Sequence, residues 1–227
     1  MTDEPVPTPM PSPSPKPVLH RADQDQDVAN LITEIKQMIG AAQGDAALGA
    51  LLAARGYNAA KLEEGLRLQA AAQEAFTARQ TAMAAQKQAA SAQADAESAA
   101  RQSYTDFRKI ARTIFTAPAD QSALGLTSEI PRDAQKFITT ARASYTAAQS
   151  APYAALAAYG FPADALAALE AFSNAGQAQN AAAAQAVKAT ADRDAAVDAL
   201  KQWNKQFKSV AVVALRGQPA QARKLGL

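Results

Sequence analysis

The chain has 227 residues, 48% hydrophobic but only 6% aromatic, and about a quarter of them are alanine, well above ordinary usage. Lysine plus arginine number 23 against 21 for aspartate plus glutamate, with the signs interspersed, so the one-sided basic footprint of a nucleic-acid binder is missing. Cysteine is absent, which excludes disulfides, thiolate metal sites and cysteine nucleophiles, and the single histidine, His20, sits at the edge of a proline-rich segment, which counts against histidine-based triads and zinc centres.

Alanine is the best helix former because ordering it costs no side-chain entropy, yet it buries little area. The composition therefore predicts an all-α fold with a thin core. The start, Met1-Thr2-Asp3-Glu4, lacks the basic and apolar regions of a signal peptide. The best apolar run, Val210 to Leu215, falls far short of the ~20 residues that span a bilayer. The expectation is a soluble cytoplasmic protein.

Residues 1–23 read as a proline-rich disordered tail. Pro5, Pro7, Pro9, Pro11, Pro13, Pro15 and Pro17 occupy alternate positions, which favours polyproline II, a semi-rigid arm or a ligand for a proline-binding groove. His20 lies at its edge. The first helix is expected from Asp25 or Asp27, with Asp27 as cap, through Val28, Leu31, Ile32, Ile35, Met38 and Ile39 to a stop at Gly40. A short helix follows over 45–55. Gly56 then Tyr57 is the glycine-plus-apolar pair of a Schellman stop.

Asn58 is placed to cap a helix running to Ala117 with one internal glycine, Gly65, and no proline before its end; roughly 60 residues would span about 90 Å. Its large apolar residues gather early (Leu62, Leu66, Leu68, Phe76) and late (Tyr104, Phe107, Ile110, Ile114, Phe115). Between them, apart from Met83, Ala85, Ala89, Ala90, Ala92, Ala94, Ala96, Ala99 and Ala100 are expected to form a small-residue seam. Leu62, Phe76, Met83, Ala90, Tyr104 and Ala111 recur at multiples of seven, which suits a coiled coil, although Gln69 and Glu97 share the register.

Pro118 marks the end, and a short segment to Leu124 closes on Gly125. A second helix is expected to open at Pro131 and run through Phe137, Ile138, Ala141 and Tyr145, with Pro152 interrupting. Leu156-Ala157-Ala158-Tyr159-Gly160-Phe161 then matches Leu52-Ala53-Ala54-Arg55-Gly56-Tyr57. Pro162 opens a second long helix to Arg216 with an alanine middle (Ala181 to Ala184, Ala186, Ala189). Phe207 aligns with Phe107 and Leu225-Gly226-Leu227 with Leu124-Gly125-Leu126, so the order of landmarks predicts an internal repeat, 24–126 and 127–227, forming one structural unit over 24–227.

The fold expected is an elongated pseudo-two-fold helical bundle built on two very long alanine-rich helices, antiparallel, with shorter flanking helices. The Gly-aromatic stop, the long alanine-rich helix, the run Asp194 to Trp203, Phe207 and the terminal Leu-Gly-Leu resemble a family of uncharacterised bacterial all-helical proteins with an internal duplication. That resemblance implies a duplicated helical fold and brings no activity, cofactor or site residue.

No catalytic, cofactor-binding or metal residue can be nominated. One histidine cannot supply a di-iron bundle, and Gly40, Gly44 and Gly49 lack the lysine and strand of a phosphate loop. Glu63, Glu64, Asp95, Glu97, Asp192 and Asp194 read as solvated helix faces. Trp203, Tyr57 and Phe161 read as packing, the tryptophan N–H finding a nearby acceptor. Arg101, Arg108, Lys109 and Arg112, with Lys201, Lys205 and Lys208 in the matching region, could receive phosphate or anionic lipid; neighbouring acids favour a plain preference of cations for helix C-termini. The functional expectation is a non-enzymatic rod that spaces, scaffolds or self-assembles with protein partners, without nucleic acid or small-molecule substrate. The alternative is a membrane-surface-binding or pore-forming helical protein.

Overall fold

The computed structural model of the chain describes residues 21–227, with side chains from Asp25 onward. The proline run and His20 lie outside the described residues. Among those described the secondary structure is all helical: α1 (Arg21–Gly44), α2 (Ala46–Ala53), α3 (Ala59–Ile114), α4 (Pro118–Ala123), α5 (Ala134–Ala148), a 3-10 helix (Ala151–Tyr159), α6 (Ala163–Ala214) and α7 (Pro219–Lys224). The two long helices have 56 and 52 residues.

Three local expectations are corrected. Helix α1 spans Arg21–Gly44 and so includes residues 21–23 of the expected tail; Asp27 is therefore an interior residue and no cap. Nothing between Arg21 and Asp27 breaks a helix. Gly40 is likewise interior; α1 continues to Gly44 because isolated glycine only weakens a helix. Helix α5 starts at Ala134 rather than Pro131, because Asp133 offers its carboxylate to the Lys136 N–H at 2.8 Å and so sets the first turn. By contrast, Asn58 caps α3 as expected, accepting from the Lys61 N–H at 3.2 Å.

The chain forms two compact units, one from residues up to Gln73 together with Val197–Leu227, the other from Glu74–Ala196. Both long helices contribute to each. In the first unit, α1 and α2 fold back on one another and present Ile32, Ile35, Ile39, Leu48 and Leu52 to a buried core that also holds Leu200, Trp203 and Phe207. Early α3 lies antiparallel to late α6: Tyr57, just before α3, meets Phe207, and Gly65 meets Trp203. Two ion pairs tie the short helices in, Lys208 with Glu34 at 2.6 Å and Lys224 with Asp45.

Gly65 is explained by that unit. A Cβ there would sit 2.3 Å from the Trp203 ring, so only glycine lets the indole lie against the α3 backbone. Trp203 stacks on Phe207 at 5.1 Å, and Tyr57 meets both edge-on.

The second unit holds a denser aromatic core. Tyr104 and Phe107 on late α3 meet Phe137 and Tyr145 of α5, Phe161 before α6, and through Phe137 reach Phe172. Here too the long helices are antiparallel, since late α3 meets the approach to α6 while the Gln93 amide lies near Gly176. Leu124, Leu126 and Leu156 complete the core from the connecting turns.

The alanine seam is differently composed from the one expected. Ala85, Ala90, Ala92, Ala94 and Ala99 are exposed, whereas Met83, Gln86, Ala89, Gln93 and Ala96 are half-buried and Arg79 is buried. Buried and half-buried positions along α3 recur three or four residues apart, as a helix facing one partner requires. In a run that is mostly alanine the face cannot be read from hydrophobicity, and glutamine stems fill it as readily.

Four helices stop alike. Gly56, Gly125, Gly160 and Gly226 all have positive φ, and each following N–H bonds back to the carbonyl five residues earlier: Tyr57 to Leu52, Leu126 to Gln121, Phe161 to Leu156, Leu227 to Ala222.

Gly65→Ala is expected to lower stability by about 1–2 kcal/mol, the strain of overpacking outweighing the gain in helix propensity. Chemical denaturation followed by circular dichroism measures it. The loss should shrink in a Trp203→Leu background, where the ring is gone.

Candidate functional site

The charged residues singled out from the sequence fall into two kinds. The carboxylates belong to solvated faces: Glu63, Asp95, Asp192 and Asp194 are exposed. Half-buried Glu64 pairs with Lys61 at 2.7 Å, and half-buried Glu97 with Arg101 at 2.7 Å. Lys188 holds Asp192 at 2.6 Å and Arg193 lies 2.9 Å from Asp194. Such pairs contribute little each. Among the described residues, no group of three acids or histidines is placed to hold a metal ion.

The basic cluster near the end of α3 is of the second kind, and the structure divides it. Arg101 turns inward over the Phe137 ring, 4.5 Å from its centre, and donates to the carbonyls of Pro131 and Arg132 at 2.8 Å. Arg108 and Arg112, one helical turn apart, donate to the carbonyl of Leu126, and Arg108 also to that of Ser128. The segment between α4 and α5 is thus held to α3 by three arginines through its backbone oxygens. Guanidinium suits this task, since its planar fork donates to several acceptors at once. Burial lowers the pKa of Arg108 from its ordinary value, the nearby Arg112 adding to the shift against an opposing effect of Tyr104.

In the matching region of α6 two of the three cations have an acid nearby. Lys208 pairs with Glu34 on α1, and Lys201 stands 3.8 Å from Asp198. Lys205 is exposed.

The aromatic residues are core, as their neighbours in sequence predict. Trp203 is 4% exposed. Its N–H, however, is buried without an acceptor among the described residues, a correction to the expected hydrogen bond. The ring is fixed by the Gly65 notch and by two other rings, and those contacts outweigh one lost donor. The Tyr104 and Ser144 hydroxyls share a buried hydrogen bond of 3.0 Å, and burial pushes the Tyr145 phenol well above its ordinary range, so Tyr145 is not poised as a base near neutral pH.

No helix among the described residues is long and apolar enough to cross a membrane. Comparison with protein-family models, with curated proteins and with solved structures finds no match.

Asp45 gives the clearest pH dependence. The hydrogen bond from Lys224 holds its pKa below the ordinary 3.8, helped by the Leu48 N–H. A depressed carboxylate stabilises the fold above its unfolded value and loses that contribution as pH falls through the folded value. The melting temperature of the protein should therefore exceed that of Asp45→Asn above about pH 5, and the two should converge near about pH 2. Asparagine keeps the capping oxygen, so the comparison isolates the charge.

Proposed function

We propose that the chain is a non-enzymatic structural or interaction protein, a duplicated helical element that spaces, scaffolds or self-assembles through its helix surfaces. The observation that carries this reading is the pair Val212 and Val213, adjacent in the last turn of α6 and 59% and 46% exposed. Two neighbouring β-branched residues open to water in one helical turn form an apolar contact point. Tyr159 and Val187 are further exposed apolar residues, on the other unit.

The duplication gains support from matched contacts. Tyr57 meets Phe207 at 5.3 Å and 68°, and Phe161 meets Phe107 at 5.6 Å and 63°, each pair an aromatic after a glycine stop against an aligned phenylalanine. Leu52 and Leu156, which align, both accept at those stops and are both fully buried. The three-and-four spacing of buried positions along α3 and α6 suits a coiled-coil pairing of the long helices within each unit. Against an enzyme stand the solvated carboxylates, none of which is buried among the described residues.

Light-scattering mass measured against concentration tests the reading on the full chain. A mass that climbs with concentration, and returns to that of the monomer in a Val212→Glu, Val213→Glu variant, is the expected result. Constant monomer mass at every concentration would overturn self-assembly.

A further inference from the structure

Beside the last turns of α3, within the second unit, a groove of about 530 Å3 opens between that helix and the segment leading to α5. Its volume lies in the range of small-molecule sites. Three cations line it, Arg108, Lys109 and Arg112, with Thr127, Ser128 and a single acid, Glu129, on the opposite wall.

The cations here are crowded on one wall of the groove. Arg108 is only 6% exposed, yet neither it, Arg112 nor Lys109 has a carboxylate within ion-pair distance among the described residues. Glu129 is exposed and forms no ion pair, although it shares the groove. Arg108 and Arg112 engage only Nη2, on neutral carbonyls, so Nε and Nη1 of both carry no protein acceptor. A nearly buried guanidinium that meets two carbonyl groups and the face of the Tyr104 ring, 5.6 Å from its centre, has no full counter-charge, and a second cation one turn away worsens the balance. Burial, with Arg112 adding to it, pushes the Arg108 pKa below its ordinary value although Tyr104 opposes the shift. At the aligned position of α6, Lys208 has its acid in Glu34. Among the described residues Arg108 has no such partner.

We propose that this groove binds a phosphate-bearing small molecule, its oxyanion held by the free donors of Arg108 and Arg112 and by the Lys109 ammonium. Guanidinium forks match phosphate oxygens two at a time, and the flexible lysine adds a point charge. The hydroxyls of Thr127 and Ser128 supply further donors from the opposite wall. Because α3 ends beside the groove, its carbonyl end opposes an anion, which is why three cations are required rather than one. Binding would remove the repulsion between Arg108 and Arg112 and so tighten the hold on the segment between α4 and α5. This inference does not depend on self-assembly.

The test uses pyrophosphate as probe, titrated into the full chain by calorimetry at low salt, with backbone amide shifts locating the site. Saturable binding that shifts residues 126–130 is expected. Lys109 is exposed, and its side chain makes no hydrogen bond or ion pair among the described residues, so Lys109→Gln should leave the melting temperature unchanged while weakening binding about tenfold. Glu129→Gln should strengthen binding severalfold, because it removes the one repelling charge; a merely structural groove would not respond in that direction. Absence of saturable binding would overturn the proposal. So would binding indifferent to both substitutions, or affinity for vesicles carrying phosphate-monoester headgroups without affinity for soluble pyrophosphate.

Discussion

Each unit is closed by an edge-to-face contact between the aromatic that follows a helix-stopping glycine and a phenylalanine on the other long helix: Tyr57 on Phe207, Phe161 on Phe107. The remainder depends on these contacts because alanine supplies so little. A buried alanine removes one methyl group from water, whereas truncating a buried phenylalanine or tryptophan typically costs about 3–5 kcal/mol. The glycine stop is what aims the aromatic. Positive φ at Gly56 and Gly160 turns the chain, and the next N–H bonds back to a leucine carbonyl, so the ring arrives over the core in a fixed direction.

Electrostatics divides the molecule along a different line. Four ion pairs along the helices join residues three or four positions apart, and three of them, Lys61 with Glu64, Lys188 with Asp192 and Lys201 with Asp198, are surface pairs that contribute little to stability. The arginines of late α3 do something else: they tie a non-helical segment to a helix through its carbonyl oxygens, so that the turn after α4 is ordered without secondary structure of its own. Arg108 and Arg112 lend the groove beside them a surplus of positive charge, which separates it chemically from the compensated Lys208 region.

How far the chain can be read depends on which residues speak. Glycine followed by a large apolar residue marks the stops at Gly56, Gly125, Gly160 and Gly226, because few other residues adopt the left-handed conformation, and Asn58 marks a start for an equally local reason. Where the deciding interaction is distant, the reading fails. Ala85 and Ala89 look alike in sequence, but one is exposed and the other half-buried, since only the facing helix chooses between them. Pro131 resembles a helix start until Arg101, thirty residues away, takes its carbonyl. The four basic residues near the end of α3 read as one cluster; packing sends Arg101 over Phe137 and leaves the other three on a groove.

The sequence by itself determined what is local: the all-helical class, the two long helices, the positions of the glycine stops and the placing of the aromatics in the core. These follow from backbone propensity, from capping and from the hydrophobic cost of leaving large rings in water. Only the tertiary structure decided which face of an alanine helix is covered, why Gly65 must be glycine, and which arginines lack an acid. Those outcomes belong to pairs of residues separated by tens to more than a hundred positions, and pairing at that range is fixed by packing rather than by any local preference.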